Sequence, residues 1–221
     1  MKYTLYIFCL CLISCTEFLS PDISEEAIEI NSPRDSLYAN NTELTFWWEE
    51  AKDIENYRLQ IVQPDFENPI VILDSLLADT RISLILGEGH YSWRIRGENE
   101  SSDSPYQLYQ FSLDQSAPEQ ASLLAPIEAS TQSKDDVLLR WDSQDQAIEG
   151  KIAAVSDSIT VYNSSDNELI VRQSREDQSW QIEALMPSVP QGDSLKICWW
   201  VRSQDPAGNA SVSDTFSFYI K

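Results

Sequence analysis

The feature that most constrains this chain is an alternation of apolar and polar residues that occurs twice in the same order. Leu44-x-Phe46-x-Trp48 returns as Val137-x-Leu139-x-Trp141, with Pro33 and Pro126 each fifteen residues ahead of the tryptophan. Tyr57-x-Leu59-x-Ile61 has its counterpart in Ile159-x-Val161. Tyr91-x-Trp93-x-Ile95 is echoed by Ile197-x-Trp199-x-Val201, with Arg96 and Arg202 in register. Tyr109-x-Phe111-x-Leu113 closes the first half and Phe216-x-Phe218-x-Ile220 the second. A period of two sends alternate side chains to opposite faces of a strand, and no segment keeps a helical period beyond about two turns. Short strands at this spacing, in two copies of about 90 residues, predict an all-β chain of two tandem β-sandwiches. The polar, proline-bearing stretch Asp114 to Gln120 predicts the boundary, with a first unit over 31–114 and a second over 119–221.

With those residues placed, the chain resembles the fibronectin type III family of immunoglobulin-like sandwiches. That family sets a Trp at the end of its second strand, here Trp48 and Trp141. Its sixth strand reads Tyr-x-apolar-Arg-apolar-x-small-x-Asn, which Tyr91-Ser92-Trp93-Arg94-Ile95-Arg96-Gly97-Glu98-Asn99 follows after the turn Leu86-Gly87-Glu88-Gly89. In the second copy Leu195 stands where the resemblance implies a tyrosine corner. Asp205-Pro206-Ala207-Gly208-Asn209 resembles a turn of bacterial immunoglobulin-like modules. These motifs are packing signals, so they imply a fold and no activity.

Fifteen Lys and Arg stand against 36 Asp and Glu, a formal charge of −21. Such a surface repels phosphate backbones and anionic headgroups, which excludes nucleic acid as a partner. The chain opens with one positive charge and an apolar run over Leu5 to Ile13. That run is shorter than the roughly 20 residues of a membrane span and has the length of a secretory signal core. Leu12-Ile13-Ser14-Cys15 then resembles the bacterial lipobox. The resemblance implies removal of a signal peptide over 1–14 and fatty acylation of Cys15. The membrane is then a partner through this N-terminal lipid anchor, since two or three acyl chains hold stably where one does not. Cys9 and Cys11 would leave with the signal, so Cys198 is expected as a free thiol. Residues 15–30 read as an acidic tether. Acidic residues soon after the lipid-bearing Cys resemble export signals of surface-exposed lipoproteins in some Gram-negative bacteria, so the expected location is the outer membrane, with display at the cell surface and the periplasmic face as the alternative.

Alternation also sorts the candidate binding residues by face. With Ile197, Trp199 and Val201 inward, Cys198, Trp200 and Arg202 face outward. Tyr162 and Tyr219 join Trp200 on one face, because the third, sixth and last strands are neighbours in the resembled family. An aromatic face of this kind suits a sugar ring or a protein partner, unless the first unit, the loop 143–156 or the chain terminus covers it. In the first unit Arg58, Arg94 and Arg96 point outward as a basic strip, which either receives an acidic partner or lies in cross-strand pairs. Trp47, also outward, is expected beneath the tether or a neighbouring strand.

Four tripeptides that begin Asp35-Ser36, Asp74-Ser75, Asp157-Ser158 and Asp193-Ser194 resemble bacterial O-glycosylation sites. Ser36, Ser75, Ser158 and Ser194 are therefore candidates, although Asp-Ser also opens turns. The acidic loops Asp142 to Asp145 and Asp205 to Asn209 offer oxygens of the kind calcium takes. No Asp-x-Asp-x-Asp-Gly loop is present, however, and no metal or other cofactor is expected. Two carboxylates suffice for glycoside hydrolysis, yet two sandwiches leave no room for a catalytic domain. The single histidine, His90, is expected in the turn before the sixth strand, so no catalytic residue is assigned. The chain reads as a non-catalytic envelope lipoprotein presenting two modules for binding, adhesion or protein interaction. A glycan-binding accessory lipoprotein of a polysaccharide-uptake system and a structural subunit of an envelope complex are the alternatives.

Overall fold

A computed structural model describes residues 20–145 and 154–221, together with two short strands at 147–148 and 151–152. The expected signal peptide 1–14, the lipid-bearing Cys15 and residues 16–19 lie outside the described residues. The first unit contains β1 (Ile30–Ser32), β2 (Leu37–Ala39), β3 (Glu43–Trp48), β4 (Asn56–Gln63), β5 (Ile70–Leu77), β6 (Arg81–Ile85), β7 (Gly89–Glu98) and β8 (Gln107–Leu113). The second begins with β9 (Ser122–Ala125), β10 (Thr131–Gln132), β11 (Leu138–Asp142), β12 (Ala147–Ile148) and β13 (Lys151–Ile152). It continues with β14 (Ser156–Asn163), β15 (Leu169–Arg175), β16 (Ser179–Gln181), β17 (Leu195–Gln204), β18 (Ala210–Val212) and β19 (Phe216–Ile220).

Both units repeat one plan. A three-stranded sheet, β1-β3-β6 or β9-β11-β16, faces a larger one, β2-β8-β7-β4-β5 or β10-β19-β17-β14-β15. In each larger sheet the short second strand of the unit joins its last strand in parallel. The chain is therefore all-β, two immunoglobulin-like, fibronectin type III-like sandwiches in tandem. Among the described residues no helix is long and apolar enough to cross a membrane.

The inward rows form the two cores. Leu44, Phe46 and Trp48 meet Leu59, Ile61, Tyr91, Trp93, Ile95 and Phe111 in the first. Leu139 and Trp141 meet Ile159, Val161, Ile197, Trp199, Val201 and Phe218 in the second. Each such side chain contributes roughly 1.5–3 kcal/mol by leaving water. Register aligns the copies residue by residue: Leu59 opposes Ile95 and Ile61 opposes Trp93, as Ile159 opposes Val201 and Val161 opposes Trp199. The tyrosine corner is present in the first unit, where the Tyr91 hydroxyl donates to the Gly87 carbonyl at 2.9 Å. Its counterpart in the second is Ile197 and not Leu195, because Tyr91 opposes Phe111 as Ile197 opposes Phe218.

Two other expectations, the free tether and the place of His90, need correction. Residues 20–30 are docked on the first sandwich and do not form a free tether. Ile23 and Ile28 are buried, and their amides donate to Ser102 Oγ and Gln107 Oε1. The Asn99 amide and Ser101 hydroxyl in turn donate to the carbonyls of Pro21 and Ser20. These two isoleucines have no repeating period, yet both are buried and Ile28 joins the first core. The boundary is likewise packed: Asp114 and Pro118 are buried, and the Asp114 amide donates to Ala39 O. His90 lies within β7 and not in the turn before it.

Candidate functional site

The candidate surface is the outward face of the larger sheet in the second sandwich. Thr160 of β14 opposes Trp200 of β17, Tyr162 opposes Cys198, and Lys196 opposes Tyr219 of β19. Trp200, Tyr162 and Tyr219 therefore share one face, as the alternation predicts, and each is half-buried. Trp200 and Tyr162 stand diagonally across adjacent strands, about 7–8 Å apart. Cys198, also on this side, is a buried free thiol. Burial above all, and then the neighbouring Cys198, pushes the Tyr162 hydroxyl above its ordinary pKa.

Cations frame the rings. Arg172 of β15 is exposed, donates from Nε to Thr160 Oγ1 at 3.2 Å, and holds its guanidinium 5.9 Å from the Trp200 ring centroid. Arg202 donates to Gln204 Oε1 at 3.0 Å. Among the described residues, Arg172, Lys196 and Arg202 take part in no ion pair. The outward rows of β14, β15, β17 and β19 contain no acidic side chain. At the rim, Glu128 accepts the Ser217 amide at 2.6 Å and its hydroxyl at 2.7 Å, which hold its carboxyl below the usual range.

The matching face of the first sandwich is neutralised internally. Arg58 pairs with Asp74 at 2.5 Å, and Arg96 with Glu98 at 2.7 Å and Asp103 at 2.9 Å. The hydrogen bond from Arg58 is the main cause that holds the Asp74 carboxyl below its ordinary range. Arg94 donates to Gln60 at 2.7 Å and lies 4.2 Å from the ring centroids of both Phe66 and Tyr106. Of the two roles open to the basic strip, cross-strand and cation–π pairing is the one these contacts fulfil.

Ser36 is exposed in a turn and Ser194 is exposed just ahead of β17, whereas Ser75 and Ser158 are half-buried within β5 and β14. The aspartates beside three of them have structural partners. Asp35 accepts the Gln110 amide and Asp74 holds Arg58. Asp157 is buried and accepts the Trp141 indole N–H and the Ser143 and Ser203 hydroxyls at 2.6–2.7 Å. Trp47 is 42% exposed and uncovered, because its strand partners Ser32 and Arg81 leave the ring open and the N-terminal segment docks elsewhere. His90 Nδ1 meets Ser112 Oγ at 2.6 Å, a contact that binds β7 to β8.

Folding also gathers acids that the sequence leaves apart. Asp114, Asp145 and Asp205, all buried, bring one carboxylate oxygen each to within 4.8 Å of one another at the unit boundary. Asn209 donates from Nδ2 to the Asp114 carbonyl and to Asp205 Oδ2, so it joins the boundary to the second unit. Burial first, and then the charges of Asp205, Asp145 and Glu88, push the Asp114 carboxyl above its ordinary pKa. At one oxygen each, the three acids would offer three of the six to eight oxygens that calcium takes.

No family model matches this sequence, and no curated protein matches it. Among solved structures, the FN1-FN3 domains of chicken CNTN1 are similar at 15% identity, with 89% of this chain and 68% of that chain covered and a TM-score of 0.48. Fibronectin(III)-like modules of Clostridium thermocellum CbhA match at 14% identity over 88% of this chain and 93% of theirs, with a TM-score of 0.42. A two-domain fibronectin type-III segment of chicken tenascin matches at 14% identity over 89% of this chain and 98% of its own, with a TM-score of 0.31. The description as two fibronectin type III-like sandwiches rests on strand order and register, which the chain itself supplies.

Proposed function

We propose that this protein is a non-catalytic lipoprotein of the outer membrane, displayed at the cell surface, that binds through the second of its two sandwiches. The observation that carries the binding reading is the outward face on which Trp200, Tyr162 and Tyr219 stand together with Arg172 and Arg202, neither of which takes part in an ion pair among the described residues. The anchor reading rests on Leu12-Ile13-Ser14-Cys15.

The docked N-terminal segment supports a mechanical arrangement. Ser20 and Pro21 are held by Ser101 and Asn99, at the end of the first sandwich where β7 finishes. Asp114 leaves that sandwich after β8, whose last residue, Leu113, opposes Gly89 at the start of β7. The five-residue step from Cys15 to Ser20 reaches at most about 18 Å. A lipid on Cys15 then holds the first sandwich by one end, while the second sandwich is attached at the other. The aromatic face is thereby carried on the unit more remote from the anchor.

Metabolic labelling with a palmitate analogue, with fractionation and protease shaving of intact cells, tests the anchor. The expected result is label on the wild type, and neither label nor membrane retention for Cys15→Ala. Binding to envelope glycans tests the face, with a loss of at least tenfold expected for Trp200→Ala. An unlabelled wild type overturns the anchor, and a Trp200→Ala chain that binds like the wild type overturns the face.

A further inference from the structure

We infer that the outward face of the second sandwich takes an anionic polysaccharide whose sugar rings carry carboxylates. This assignment rests on the binding reading above and adds the chemistry of the ligand. Along β17, Arg202, Trp200 and Lys196 project from the same side, and a rise of about 3.3 Å per residue separates them by roughly 7 and 13 Å. Tyr219 stands opposite Lys196, while Arg172 lies beside Trp200. Rings and cations therefore interleave. An aromatic face packs against the C–H face of a sugar, and a guanidinium or ammonium group beside it meets a carboxylate.

Charge complementarity selects the anion. The chain carries 36 acidic side chains, yet none belongs to the outward rows of β14, β15, β17 and β19. The carboxylate that reaches them, Glu128, is held by Ser217 and acts on Lys196, while Arg172 and Arg202 take part in no ion pair among the described residues. On the first sandwich the corresponding rows hold Arg58 and Arg96 already paired with acids, and Arg94 enclosed by Gln60, Phe66 and Tyr106. The Debye length at physiological salt is about 8 Å, so charges elsewhere on the protein are largely screened, while cations in contact with the ligand are not. An acidic peptide is disfavoured by shape. Peptides add to a free strand edge or fill a groove, whereas the three rings, Lys196 and Arg202 stand on β14, β17 and β19, each paired on both sides, and only Arg172 lies on the edge strand β15.

Affinity electrophoresis of the full chain, purified in detergent, tests this with gels that contain polygalacturonate, alginate, neutral dextran or polyglutamate, each at 0.15 M and 1 M salt. The expected result is retardation by a uronate gel, relieved at 1 M salt. Retardation should weaken at least tenfold in Trp200→Ala and in an Arg172→Gln, Arg202→Gln double variant. The double variant alters side chains outside the core, so it decides the matter even where Trp200→Ala fails to fold. No retardation by either uronate, undiminished retardation of the double variant, or stronger retention by polyglutamate overturns the inference. Equal retention by dextran overturns the anionic assignment and leaves the binding face standing.

Discussion

Tyr57 and Asp157 hold the same place in the two sandwiches and fill it with opposite chemistry. Register pairs Tyr57 with Gly97 and Asp157 with Ser203, each against the tryptophan of the unit's third strand, Trp48 of β3 and Trp141 of β11. In the first sandwich the Tyr57 ring lies 5.3 Å from that of Trp48, and its hydroxyl accepts the Ala51 amide at 2.9 Å. The buried Trp48 Nε1 has no hydrogen-bond partner. In the second, the Asp157 carboxylate accepts the Trp141 indole N–H together with two hydroxyls. Neighbours follow suit. A Cβ on Gly97 would lie 2.3 Å from Ile54 Cδ1, so Ile54 occupies space that Ser203 fills in the other copy with a donor to Asp157. One strand plan thus accepts an aromatic filling, which closes the space but leaves the Trp48 N–H unpaired, or a polar one, which satisfies the Trp141 N–H.

The largest break in this comparison is expected from Asp157→Ala. It leaves three buried donors without their acceptor and should destabilise the second sandwich by about 3–5 kcal/mol. Calorimetry of the full chain should show the second unit melting earlier and the first unchanged, and an unaltered profile would refute the role of Asp157. Gly97→Ala should cost the first sandwich about 1–3 kcal/mol through overpacking against Ile54. Denaturant titration that finds no loss would mean that Ile54 moves aside freely.

Asp114 and Asp74 should sharpen the contrast through opposite pH dependence. Asp114, held above its unfolded value, binds its proton more tightly when folded. Its burial penalty is therefore full above the folded pKa and is relieved as pH falls through it towards 3.8. Asp114→Asn should raise stability at neutral pH, on the order of 1 kcal/mol, with a gain that shrinks in acid. Asp74 is held low, so its contribution is present above 3.8 and lost as pH falls through the folded pKa. The pair with Arg58 is about one third exposed and screened by solvent, so Arg58→Gln should lower stability only slightly at neutral pH. Melting curves between pH 3 and pH 8 that slope alike for the two variants would contradict these assignments.

The inward rows were legible because Phe46, Trp93, Leu139 and Trp199 recur with the period of a strand, and period alone sorts faces. The sharing of one face by Trp200, Tyr162 and Tyr219 was legible for the same reason, once neighbouring strands were assumed. Ile23 and Ile28 gave no such signal, since they dock individually outside any regular strand. Asp145 and Asp205 drew notice as members of acidic loops, but Asp114 joins them only through folding. The Tyr57–Asp157 equivalence also escaped, because a tyrosine and an aspartate share no pattern until register superposes them.

The amino-acid sequence alone determined the strand content, the two-fold repetition and the side of each strand that turns inward, because the extended backbone imposes an alternation that needs no knowledge of distant residues. Which outward charges are neutralised was decided only in three dimensions. Arg58 meets Asp74 and Arg96 meets Asp103, whereas Arg172 and Arg202 take part in no ion pair among the described residues. Coulomb and hydrogen-bond energies depend on separation in space and on local exclusion of water, and both arise when segments remote in the chain become neighbours.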